Sequence, residues 1–61
     1  MYDYRKHLID VEKIGLNYQA IIWRNPQGDQ PRHVTELVAH EQRAISLARK
    51  WIDRKLEKGE W

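Results

Sequence analysis

The side chains able to do chemistry are few: three histidines (His7, His33, His40), one serine (Ser46), one threonine (Thr35) and no cysteine. Without thiols, disulfide and thiolate–metal scaffolds are excluded, so stability must come from packing or from a partner. Ser46 falls mid-helix in the reading below and has no base at helical spacing, which leaves it no means of activation as a nucleophile. His33, Glu36 and His40 come nearest to a ligand set, yet no pair has the HxxxH or HExxH spacing that puts two ligands on one helical face. Asp10 and Glu12 share one strand face, where solvation accounts for both carboxylates without acid–base work. The expectation is a non-enzyme with no cofactor, no metal and no catalytic residue.

Binding is the remaining chemistry, and two sets of residues could perform it. Arg43, Lys50 and Arg54 fall within ~40° of one another at 3.6 residues per turn, a row that could follow a phosphate backbone. The plainer reading is a solvated edge whose long basic stems cover the core boundary, with Asp53 and Glu57 diluting the charge and Arg49–Asp53 forming an i, i+4 pair. The aromatic residues make the second set. Trp51 belongs to an apolar helical arc and is expected in the core, whereas Trp23 shares a strand face with Ile21 that a single sheet cannot bury from both sides. Ile21, Trp23 and the C-terminal Trp61 are therefore the candidate partner-binding residues. A protein partner is expected, a homodimer through a strand edge or the Trp23 face being one form of it; the alternatives are a nucleic-acid binder using the basic helix flank and a small subunit ordered within a larger assembly.

The elements that must position these residues follow from periodicity. Tyr4 to Lys13 alternates, with Ile9 and Val11 on one parity, as a half-buried strand does. Gly15 and Asn17 in Ile14-Gly15-Leu16-Asn17 can take positive φ, which tight hairpin loops require. Tyr18 to Arg24 is rich in β-branched and aromatic residues and reads as the returning strand, with Tyr18, Ala20 and Ile22 on one face. Asn25-Pro26-Gln27-Gly28 fits a type I turn. Thr35 could cap a helix from Glu36 to Lys58, but Glu41 would then sit in the middle of the apolar arc of Ala44, Ile45, Ala48, Trp51, Ile52 and Leu56. Starting near His40 puts Glu41 in the first turn, where the helix dipole favours a carboxylate. The expected fold is thus α+β: a three-stranded antiparallel sheet whose third strand is Val34 to Val38, packed by one helix from Glu41 to Lys58 and ended by Gly59.

Size sets the frame. A chain of 61 residues makes a single small domain over 1–61 that buries only about 60% of the surface its unfolded form exposes, so a deep cleft and a core would compete for the same apolar residues. Hydrophobic residues at 41% and charged residues at 33% are those of a folded domain. The net charge of +2 lies wholly in the C-terminal half: four basic and four acidic residues through Gln30, seven and five thereafter. The longest uncharged apolar run, Ala20 to Trp23, is far short of the ~20 residues of a membrane span, and Asp3, Arg5, Lys6 and Asp10 interrupt any signal-peptide core. No membrane association and a cytoplasmic location are expected.

The order of a strand, a hairpin at Gly15, Tyr18-Gln19-Ala20-Ile21-Ile22, Pro26-Gln27-Gly28, a short extended piece, and a helix running from Ala44 through Ala48 to Ile52 resembles the small HicB-like antitoxin domains. The resemblance implies a βββα fold and a non-catalytic regulator that binds and silences a partner protein or nuclease. The chain departs from the pattern where a polar Thr-containing stretch usually opens the helix, and it has no C-terminal DNA-binding extension, so autoregulation on DNA is not implied. Double-stranded RNA-binding domains also end a three-stranded sheet with a long helix, but they place lysines at the helix start, where this chain has Glu41 and Gln42.

Overall fold

The computed structural model describes residues 1–61. Five elements follow one another: β1 (Tyr2–Tyr4), β2 (His7–Ile14), β3 (Asn17–Arg24), β4 (His33–Val34) and α1 (Glu41–Glu57). The strands form one antiparallel sheet in the order β1-β2-β3-β4. The fold is α+β with one C-terminal helix, but the sheet has four strands where the sequence reading has three. The additional strand is β1, and the strand expected from Tyr4 to Lys13 is split by a turn at Arg5 and Lys6.

That turn explains why β1 escapes a sequence reading. Tyr4 pairs with His7 across it, and both Arg5 (φ 46°) and Lys6 (φ 65°) have positive φ, as a type I′ hairpin requires. Such turns are signalled by Asn-Gly or Asp-Gly, because an L side chain in the left-handed region costs about 1–2 kcal/mol per residue. Three contacts hold the Arg-Lys turn in place. Arg5 Nη1 donates to Asp53 Oδ1 at 2.7 Å, the Asn25 amide donates to the Lys6 carbonyl at 3.1 Å, and His7 Nδ1 bonds the Arg5 carbonyl at 2.8 Å. The second hairpin turns at Gly15-Leu16, with Gly15 at φ 63° and Ile14 paired to Asn17.

The third strand, expected over Val34 to Val38, is instead the two-residue β4, which begins one residue earlier at His33 and shares only Val34 with that range. β4 ends at Val34, and the rest of the segment remains bonded to β3 in an irregular way. The Thr35 amide donates to the Ala20 carbonyl at 2.8 Å, while the buried Thr35 hydroxyl stands in for a backbone carbonyl and accepts the Ala20 amide at 2.9 Å. Tyr18 and Val38 then exchange backbone bonds of 2.7 and 2.8 Å. Two residues, Glu36 and Leu37, thus oppose the single Gln19, which makes a β-bulge and interrupts the strand. No helix forms before Glu41. Asn25-Pro26-Gln27-Gly28 contains bends and a cis Asn25–Pro26 peptide, with no hydrogen-bonded turn.

One face of the sheet is covered by α1. Ile9, Ala20 and Ile22 from the sheet are completely buried against Ala44, Ala48 and Ile52 from the helix, with Ile45 beside them. Two alanines one turn apart let the helix lie close over β3 and β2, and burial of each isoleucine contributes about 1.5–3 kcal/mol. Trp51 and Leu56 border this core and are half-buried. The helix ends as a Schellman motif: Gly59, at φ 72°, donates to the Leu56 carbonyl at 3.1 Å and Glu60 donates to the Lys55 carbonyl at 2.9 Å. This reversal returns Trp61 to the sheet.

Candidate functional site

Strand alternation and register determine what the uncovered sheet face presents. Asp3 pairs with Leu8 and Leu8 with Trp23; Asp10 pairs with Ile21 and Ile21 with Val34; Glu12 pairs with Gln19. All of these lie on the parity opposite to Ile9, Ala20 and Ile22 and so face away from α1. Leu8, Ile21 and Trp23 form a contiguous half-buried apolar patch, and Val34 extends it with 41% of its surface exposed. Every charge at the outward strand positions is a carboxylate: Asp3, Asp10 and Glu12. Ile21 and Trp23 are brought together as expected from their spacing, though each is more covered than an open sheet face implies. The Trp23 indole nitrogen is itself buried and has no hydrogen-bond partner.

Trp61 is not part of that face. Its ring stacks on His7, with centroids 5.3 Å apart and planes inclined by 28°, and the Arg32 guanidinium lies 5.2 Å from its centroid. Both contacts are within the chain, on the side of the sheet that carries the helix.

The basic helix flank is exposed along its length. Arg43 and Lys50 line one shallow depression with Gln42, Ser46 and Leu47, while Arg54 lies a turn further on with its guanidinium 5.8 Å from the Trp51 ring. Asp53 does not dilute this row, and it does not pair with Arg49. It turns toward the sheet, where it takes bonds from Arg5 and from the Tyr4 hydroxyl at 2.8 Å, and these hold its carboxyl below the usual carboxylate range. The same hydrogen bond pushes the Tyr4 phenol up. Arg49 lies over the Tyr4 ring instead, 5.6 Å from its centroid.

The histidines have separate fates. His33 sits against Trp51, with centroids 4.0 Å apart, and burial, then the nearby Lys55 charge, pushes its imidazole down. His40 is the helix N-cap residue without a side-chain cap bond. No three His, Asp or Glu side chains are grouped together.

A second basic cluster arises that sequence spacing does not reveal. Arg5, Lys6, Arg24 and Arg32 line a recess of about 240 Å³ together with His7, Asn25, Leu56 and Trp61. Its components come from the β1–β2 turn, the end of β3, the residue before β4 and the C-terminus. Only the positive φ of Arg5 and Lys6 marks it locally, and that is a property of the folded backbone.

No family model matches the chain, and no curated protein or solved structure matches it. The chain also has no helix long and apolar enough to cross a membrane.

Proposed function

We propose that the protein is a small non-catalytic binding module, an adaptor or inhibitor of the antitoxin-like kind, that engages a protein partner through the uncovered sheet face. The observation that carries this reading is the composition of that face: an apolar patch of Leu8, Ile21, Trp23 and Val34 bordered by the carboxylates of Asp3, Asp10 and Glu12, with no basic outward strand position. Tryptophan is among the side chains that supply a disproportionate share of the energy at interfaces, with neighbouring contacts excluding water around it, and like-signed rim charges select the partner and speed its approach. The occupant is therefore a protein surface that presents an apolar anchor flanked by lysines or arginines. Self-association through this face is disfavoured, because two copies would bring six carboxylates together.

The test is affinity capture from lysate with and without nuclease treatment, with the wild type compared with Trp23→Ala, Asp10→Lys and the triple variant Arg43→Ala, Lys50→Ala, Arg54→Ala. Circular dichroism would verify that each variant folds. A partner retained by the wild type and the triple variant, and lost from both sheet-face variants, supports the reading. Capture indifferent to Trp23 and Asp10, or abolished by nuclease, overturns it. The alternative, a nucleic-acid binder using Arg43, Lys50 and Arg54, draws on the depression that Arg43 and Lys50 share.

A further inference from the structure

The recess beside Trp61 concentrates positive charge without neutralising it. Arg5 is paired with Asp53, and the other carboxylates nearby are engaged elsewhere: Asp3 accepts from Asn25 Nδ2 at 2.8 Å, and Glu60 pairs with Lys55 at 3.3 Å. Lys6, Arg24 and Arg32 have no carboxylate partner. Like charges converging on one concavity repel, and Lys6 adds the cost of positive φ. Unpaired cations gathered in one recess are the arrangement that an anion would neutralise.

A buried polar group marks the same recess. His7 is 4% exposed, and its Nδ1 must carry the hydrogen it shares with the Arg5 carbonyl, since a carbonyl can only accept. Its Nε2 is then a lone-pair acceptor, buried and without a partner, so the cations and not this nitrogen would hold an anion. The Trp61 ring rests on this imidazole, and both residues line the recess.

We infer that this recess binds a phosphate dianion, either inorganic phosphate or the terminal monoester group of a small organic phosphate. Guanidinium groups match phosphate oxygens in pairs, and a lysine adds a point charge. The cations surround a pocket from several segments and form no track, which suits a compact terminal group better than a continuing phosphodiester chain. The one indole present is already stacked on His7 and covered by Arg32, so it offers no free platform for a base.

Lys6 provides a test that separates binding from folding. Glycine tolerates positive φ, so Lys6→Gly removes a cation while relieving strain. The experiment follows amide chemical shifts of the whole chain during titration with inorganic phosphate, with a sugar phosphate, and with a short single-stranded oligonucleotide lacking a terminal phosphate. The expected result is saturable shifts around Lys6, Arg24, Arg32 and Trp61 with both inorganic phosphate and the sugar phosphate. Affinity should fall by about tenfold to a hundredfold in Lys6→Gly, as loss of one charge-assisted contact implies, although that variant melts at a higher temperature. Arg24→Ala should weaken binding similarly, and Arg43→Ala with Lys50→Ala should not. Equal affinity for inorganic phosphate and the sugar phosphate assigns the site to free phosphate, and tighter sugar-phosphate binding assigns it to an organic ester. Preference for the oligonucleotide, unchanged affinity in Lys6→Gly, or no saturation overturns the inference.

Discussion

The Tyr4 hydroxyl donates to the Asp53 carboxylate at 2.8 Å across forty-nine positions of sequence, and so ties the edge strand β1 to the last part of α1. Arg5 Nη1 bonds the same oxygen at 2.7 Å. One carboxylate therefore fixes both the strand and the strained turn that follows it.

The pH dependence of this tie has a definite sign. Asp53 is held below its ordinary 3.8, first by the bond from Arg5 and then by the bond from Tyr4. As pH falls below that ordinary value the unfolded chain takes up a proton while the folded chain does not. The stabilisation is complete well above 3.8 and is lost as pH falls through the depressed value. Asp53→Asn should lower the melting temperature at neutral pH, and its difference from wild type should shrink only in acid. A difference that stays constant down to pH ~2 would show that the tie does not contribute in this way.

His33 acts in a higher window by the same logic. Burial beside Trp51 pushes its imidazole below the ordinary 6.5, and the Lys55 charge adds to this. From 6.5 downward the unfolded chain protonates first, so stability falls until the folded value is reached and then levels. Thermal melts of wild type and His33→Gln between pH 7.5 and 5 should give a steeper fall of stability with falling pH for the wild type. Parallel slopes would contradict the assignment, whatever constant offset the lost ring packing introduces.

Much of the fold can be read from the chain because local signals agree with the final packing. Ile9 and Val11, Ala20 and Ile22, and the arc from Ala44 to Leu56 have the periods of the elements they form, and Glu41 opens the helix as its charge requires. What escapes is where the backbone departs from its usual chemistry. The Arg5-Lys6 turn lacks the glycine or asparagine that announces positive φ, so β1 is hidden; the Thr35 hydroxyl takes a place in the ladder that no pattern assigns to a side chain. The recess is hidden for a different reason, since Lys6, Arg24, Arg32 and Trp61 are brought together by tertiary structure alone.

The C-terminal reversal is predicted to be costly to alter. Gly59 is open to solvent, with nothing near enough to clash with an added Cβ, so the penalty of Gly59→Ala is purely that of φ 72°. Urea unfolding should show a loss of about 1 kcal/mol, with a smaller loss for Gly59→Asn, which tolerates the left-handed region. Because the Schellman bonds orient Trp61, the alanine variant should also move the His7 and Trp61 resonances. An unchanged midpoint would mean that the last residues fray in solution.

A small core leaves little reserve. Ile22 is completely buried and faces Ile9 across β2 and β3. Ile22→Ala should cost about 2–5 kcal/mol, against a total of about 3–9 kcal/mol for a chain of this length. Calorimetry should find the variant marginally folded or unfolded at 37 °C, whereas Leu16→Ala, at a residue 88% exposed on the Gly15 turn, should leave the transition where it was. Comparable losses at both positions would argue against the described core.

The nucleic-acid alternative is decided by salt. If Arg43, Lys50 and Arg54 each met one phosphate, log K against log salt would have a slope of roughly −2 to −3, from about 0.7 to 0.9 per contact. Asp53 does not oppose such contacts, because it faces Arg5 and Tyr4. Exposed Glu57 follows Arg54 by three residues, however, and Arg54 is drawn toward the Trp51 ring, which leaves Arg43 and Lys50 as an isolated pair over their shallow depression. Glu41, within 3.5 Å of the Tyr2 hydroxyl, keeps a negative charge at the helix start where phosphate would otherwise be favoured. The expected outcome is no measurable affinity for generic RNA or DNA at physiological salt. The control is Lys6→Gly, which alters the recess and not the helix. A slope near −3 that persists in Lys6→Gly and collapses when Arg43, Lys50 and Arg54 are all replaced by alanine would make the helix flank the functional surface, and the sheet-face reading would then have to be given up.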